Sequence, residues 1–190
     1  PVWLPIDSKF PREDYERLLD AQEAGDAEAV RNSGNQLHEL EYSVNEQLTN
    51  NATRINQLAQ SIAEANEQVA RAKGNGQSPN DLLDRRDQLI RELNQYIQTT
   101  QIPADDGSIG VFIGGSQALV LGNQAASVSV AESQLFTGSN QMRLFFNRPG
   151  ATPSEMQEDM LGGGEMAGLL KFANNDLVEG RNLLGRMALA

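Results

Sequence analysis

The sequence predicts an α+β protein, mainly α: a long antiparallel helical hairpin and a return helix forming a rod, with a small antiparallel β-sheet inserted between them. Three observations lead there. Apolar residues recur every three or four positions from Val44 to Ala72, the period drops to two after Thr99, and helical spacing returns from about Glu165. The composition agrees with a helical core. Apolar residues make up 39% of the 190 but aromatics only 5%, so the interior is built mainly from Leu, Ile, Val and Ala.

The first segment, residues 1–25, carries Pro1, Pro5, Pro11 and the single Trp3, and reads as extended chain followed by a short helix opened by Pro11. Gly25 breaks that pattern and Asp26 is placed to cap a new helix. The hairpin, residues 26–97, follows. Its first arm runs to Lys73 and would extend roughly 70 Å if unbroken. Leu48, Ile55, Ile62 and Val69 share one heptad position; Val44, Asn51, Leu58, Ala65 and Ala72 share the other. That 4,3 spacing predicts one narrow buried seam, with the intervening Gln, Asn, Glu, Thr and Arg solvated. Lys73 to Gln77, with glycines at 74 and 76, is a stop signal. Ser78 as cap, Pro79 at the first helical position and Asp81 behind them start a second arm to Ile97. The short loop makes the two arms antiparallel.

Residues 98–147 alternate like strands, at Gln98 to Ile102, Ser108 to Ile113, Ala118 to Leu121, Ser127 to Val130 and Met142 to Phe146. The turn signals Asp105-Asp106-Gly107, Gly114-Gly115 and Gly122-Asn123 punctuate them. Residues 148–163, with two prolines and several glycines, read as a loop. Residues 164–190 read as the return helix, packing on the hairpin. The expected packing seam is Val44, Leu48, Ile55, Leu58, Ile62, Val69, Leu82, Leu89, Leu93, Leu169, Leu177 and Leu184.

The residues that could carry chemistry fall short of it. His38-Glu39-Leu40-Glu41-Tyr42 begins like a zinc-protease helix, but Tyr42 stands where a second imidazole is needed. Asp105 to Ser108 lacks the further oxygen ligands of a calcium loop, so a hairpin turn accounts for it. Gly162-Gly163-Gly164 precedes a helix without the Lys-Ser or Lys-Thr pair of a phosphate loop. There is no Gly-x-Ser-x-Gly motif, and carboxylate pairs such as Asp84 with Asp87 lie beside arginines on helix faces. The absence of cysteine excludes disulfides, thiolate metal sites and thiol nucleophiles. A net charge of −11 disfavours nucleic acid and anionic membrane as partners, and no apolar run reaches the length of a membrane span. Pro1 to Pro5 has neither initiator Met nor signal-peptide character, so the chain reads as a fragment. A structural protein with no catalytic, cofactor or metal site is the expectation, and a surface binding module or adhesin using residues 98–147 is the alternative.

NDLLDRRDQLIRELNQYI, Asn80 to Ile97, closely resembles the signature helix of the flagellar hook-associated protein 1 family. Two further matches follow in the family's order. The acidic-glycine turn and strand Asp105 to Ile113 is one; Gly163 to Phe172, then Asn182 to Leu184, resembles the return helix. The resemblance covers about Gly25 to Ala190, with Ala173 where members often carry Arg, and the family's terminal helices are not in this chain. It implies a protein secreted through the flagellar type III export channel without a cleaved signal peptide, assisted by an export chaperone. At the distal end of the hook it would form a ring of its own copies, between hook protein and the second junction protein, hook-associated protein 3.

Overall fold

A computed structural model gives the fold of residues 27–133 and 141–187, with side chains described within 34–133 and 141–182. The segment 1–25 and the cap expected at Asp26 lie outside the described residues. The fold is α+β and mainly helical. In chain order it comprises α1 (Ala27–Gly74), α2 (Asn80–Tyr96) and strands β1 (Thr100–Pro103), β2 (Ile109–Ile113), β3 (Gln117–Leu121), β4 (Gln124–Ala125), β5 (Ser127–Glu132), β6 (Met142–Asn147) and β7 (Ser154–Met156). A 3-10 turn (Glu158–Leu161), α3 (Glu165–Lys171), a π turn (Phe172–Asp176) and α4 (Leu177–Met187) complete it. Two compact units divide the chain, Asn45–Asn174 and a second drawn from residues up to Val44 and from Asn175 onward.

Within the larger unit, α1 ends as its glycines dictate. Gln77 N–H donates to Ala72 O (2.9 Å) and Gly76 N–H to Lys73 O (2.9 Å), with Gly76 at φ +71°, the paired bonds of a left-handed helix cap. The expected Ser78 cap is not formed. Pro79 occupies the capping position without a side-chain bond, and Ser78 Oγ pairs instead with Asn80 Oδ1 at 3.1 Å. Proline has no side-chain oxygen to accept from the first-turn N–H groups, and the Ser78 hydroxyl, one residue too early to cap, donates to Asn80 Oδ1 instead. The antiparallel course of α1 and α2 shows in two cross-links, Arg54 to Glu92 and Arg86 to Asn66.

The β region departs from the expected single sheet. It forms a four-stranded antiparallel sheet, β1-β2-β3-β4, and a separate three-stranded one, β5-β6-β7. The break falls at Ala126, whose N–H turns back to Leu119 O (2.8 Å) rather than continuing β4 into β5. The expected loop 148–163 is partly ordered: β7 pairs Leu144 with Met156 and Phe146 with Ser154, and Met156 and Leu161 are buried. Three residues of Ser-Glu-Met are too short for alternation to register; burial of Met156 against its neighbours makes them a strand. The return helix is also interrupted. The π turn separates α3 from α4 and lets buried Asn174 reach the start of β6.

The core of this unit is continuous from α1 through both sheets. Leu48, Ile55, Ile62 and Val69 are fully buried, as are Val111, Leu119, Val120, Leu144 and Phe146. Each such side chain removed from water contributes about 1.5–3 kcal/mol before entropy is charged against it. The buried stripe of α1 is wider than a two-position seam. It adds Ala52, Ala59 and Asn66, one position beyond Asn51, Leu58 and Ala65, because helices and sheets both cover this helix. Small Ala at that third position lets neighbouring backbone approach closely.

Candidate packing site

The seam residues are distributed as follows. Leu48, Ile55, Leu58, Ile62 and Val69 of α1, Leu93 of α2 and Leu169 of α3 are buried in the larger unit. Leu82 and Leu89 are half-buried, and Ile90 and Ile97 take the deep positions on α2. The reason lies in the stripe's phase, since Ile90, Leu93 and Ile97 follow the 3,4 spacing that faces inward. In the smaller unit Val44 and Leu177 are buried. Leu184 lies in α4, beyond the described side chains.

Polar residues do as much to define this site as apolar ones, and the pattern alone hides them. Three asparagines use their carboxamides as substitute strands. Asn66, fully buried on α1, donates from Nδ2 to Ile109 O and Gly122 O (both 2.8 Å) and accepts Ile109 N–H on Oδ1 (3.0 Å). It fills the gap where β2 and β3 part beyond the bulge at Val111 and Phe112. Asn56, also on α1, accepts Val128 N–H (2.7 Å) and donates to Val128 O (2.9 Å), closing the outer edge of β5. Asn174 accepts Met142 N–H (2.8 Å) and donates to Met142 O (2.9 Å), extending the ladder of β6 past β7. A primary amide presents a donor and an acceptor side by side, the same pair a strand edge offers. The expectation that such asparagines on α1 are solvated is therefore corrected.

Arg86 of α2 ties the first clamp to the β1–β2 turn. It is 8% exposed, and its Nη1 donates to Gly107 O (2.7 Å) and, at 3.4 Å, to Asn66 Oδ1. Inside that turn the Ser108 hydroxyl and backbone N–H bond the Asp106 carboxyl and hold it below its ordinary pKa, with Lys73 adding attraction. Asp105 and Asp106 thus belong to a hairpin turn, closed by Ala104 N–H to Ser108 O (2.9 Å). Pro103 faces outward on β1, since Ile109 opposite spends its backbone groups on Asn66, and so removes one donor from an exposed edge.

The triple glycine joins α3 to α2. Gly164 (φ +95°) sits so close to the end of α2 that a Cβ would lie 2.6 Å from Tyr96 O, and Gln98 N–H donates to Gly163 O (3.1 Å). His38 is an exposed side chain on α1, 3.6 Å from Glu41 one turn on, and Glu41 also pairs with Arg181 of α4. Gly180 leaves room for Leu37 at 3.4 Å. Among the described residues no three His, Asp or Glu side chains are grouped to hold a metal, and no helix is long and apolar enough to cross a membrane.

The family profile described as flagellar hook-associated protein FlgK helical domain matches residues 17–190. The chain belongs to that family. It is 33% identical to flagellar hook-associated protein 1 of Salmonella typhimurium over 156 residues, covering 81% of this chain and 28% of that protein, and equally so to the Escherichia coli protein of that name. The structure of the flagellar hook junction protein FlgK from Burkholderia pseudomallei superposes with a TM-score of 0.63 at 28% identity, over 84% of this chain and 31% of that one. The FlgK helical domain here therefore spans under a third of the length of these relatives. A short stretch of 37 residues is 73% identical to a DNA recombination protein RmuC homolog of Xylella fastidiosa; it covers 20% of the chain and assigns no family.

Proposed function

We propose that this domain is a structural building block of the bacterial flagellum, joining hook to filament within a ring of identical copies and performing no catalysis. Membership of the hook-associated FlgK family across residues 17–190 carries the reading. The architecture supports it: the long helix buries its stripe against the chain's own sheets and helices, and amides rather than mobile loops lock the pieces together. A part that must transmit torque benefits from such internal closure. Hook protein and hook-associated protein 3 are the neighbours on either side, an export chaperone accompanies the chain before assembly, and the assembled site is extracellular, reached without a cleaved signal peptide.

The test is complementation. The full-length protein carrying this domain, expressed in a strain deleted for its hook-associated protein 1, is expected to restore filaments on hooks and swimming. Normal export of that protein with hooks left bare would overturn the proposal.

A further inference from the structure

The larger unit carries two surfaces from which charge is missing, although 22% of the chain is charged and its net charge is −11. The first is the outward face of α1. Between Gln47 and Ala63 the only charged side chain is Arg54, and Glu92 of the same chain engages it. Besides Gln47 and Arg54, the exposed positions there are Thr49, Asn50, Thr53, Gln57 and Gln60. Thr49 and Thr53 spend their hydroxyl protons on the carbonyls of Asn45 (2.9 Å) and Thr49 (3.0 Å) of their own helix. Apart from the Arg54–Glu92 pair, the face is polar and without charge.

The second surface is the outer side of the four-stranded sheet. No charged residue occurs from Gly107 to Ala131. Ile102 on β1 and Leu121 on β3 are 54% and 63% exposed and flank Phe112 of β2, whose ring lies over Gly110. Gly110 pairs with Ile102, so ring and Ile102 share one side of the sheet. Exposed large apolar side chains on adjacent strands mark a contact surface.

We propose that these two surfaces meet between neighbouring copies: the Thr49–Gln60 face of α1 on one copy seats against Ile102, Phe112 and Leu121 of the next. The assignment rests on the ring of copies proposed above and identifies its contact. These domains each carry −11 and repel wherever their acidic faces approach, so a contact between them falls where like charge is absent. Two different surfaces joined head to tail make a heterologous interface, the type that closes into a ring, whereas either surface meeting itself would stop at a pair.

These 190 residues contain no cysteine, and unaltered full-length protein oxidised in parallel is the control that shows which disulfides come from the introduced thiols. Full-length protein carrying both Thr53→Cys and Leu121→Cys, assembled on flagella and oxidised with copper–phenanthroline, is expected to give a ladder of disulfide-linked multimers, and each single variant none. A dimer from either single variant, or no ladder from the double variant in cells whose filaments are attached, overturns the assignment while leaving the junction role intact. If the unaltered protein does not restore filaments, both readings fall. Thr53→Glu and Leu121→Glu, which place like charge in the contact, are expected to lose filament attachment with far-UV circular dichroism and the denaturation midpoint unchanged. Full attachment by both variants also overturns the assignment.

Discussion

Two buried asparagines on α1 should respond to substitution in opposite directions. Asn66 is fully buried and makes three bonds of 2.8, 2.8 and 3.0 Å to Ile109 and Gly122, with Arg86 at 3.4 Å. Asn66→Ala strips partners from Ile109 N–H, Ile109 O and Gly122 O at once. An orphaned buried group costs about 1–3 kcal/mol. Water entering the space left by the amide recovers part of that, so the expected loss is about 3–5 kcal/mol, a large share of a domain stability of about 5–15 kcal/mol. Asn51 is 7% exposed, and its Nδ2 finds no hydrogen-bond partner among the described residues. Asn51→Leu replaces that amide with an apolar side chain of similar size, and is expected to be neutral or to stabilise by about 1 kcal/mol.

Urea denaturation followed by far-UV circular dichroism reads both. With an m value of about 2 kcal/mol/M, Asn66→Ala lowers the midpoint by about 1.5–2.5 M and Asn51→Leu leaves it in place or raises it. A drop of less than about 0.5 M for Asn66→Ala would refute the view that its amide substitutes for a strand. So would an equal drop for both, which would mean that polarity at either position matters only through general helix packing.

Other expectations follow from single contacts. Gly164→Ala places a methyl 2.6 Å from Tyr96 O in a left-handed backbone conformation, and should cost about 2–4 kcal/mol by thermal melting; Gly115→Ala, also at positive φ but facing open space, should cost only about 1 kcal/mol. The Asp106 carboxyl is held below its ordinary value of 3.8, so its contribution to the turn is present above that pH and is lost as pH falls through the lower folded value. Carboxyl carbon NMR should show a midpoint below 3.8 that returns toward it in Ser108→Ala. Glu92→Gln, which removes the half-exposed partner of Arg54, should shift stability by no more than about 1 kcal/mol.

The helices were legible because burial on one side imposes a period, and Leu48, Ile55, Ile62 and Val69 carry it without exception. The hairpin turn at Asp105 to Gly107 was legible through its residue types, and the family through the run from Asn80 to Ile97. Three features were not. Asn56, Asn66 and Asn174 look like solvent-facing residues in a pattern that scores only polarity, since nothing local says that a strand edge will come to meet them. Their one advance signal is that Asn is a poor helix former, and its repeated use inside a long helix needs a reason. The second sheet depends on Ala126 turning its N–H back to Leu119, a long-range geometric event. The π turn holds Asn174, which bonds Met142, a residue 32 positions away.

These amides also solve a problem that the sheet sequences create. Ile-Gly-Val-Phe-Ile and Ala-Leu-Val-Leu are apolar on both sides of the strand, so a one-residue slip exchanges one apolar face for another at little cost. Hydrophobic burial therefore sets the register of β2 and β3 weakly. Asn66 recognises Ile109 and Gly122 together, and a slip of either strand would break bonds in a site from which water is excluded. Arg86 adds Gly107 from the neighbouring helix, so the register of the helical hairpin and that of the strand hairpin bear on the same bonds. Strand order and helix pairing are thereby coupled through one polar cluster. The charge-free stretch from Gly107 to Ala131 can keep an apolar outer face because its alignment does not depend on having a polar one.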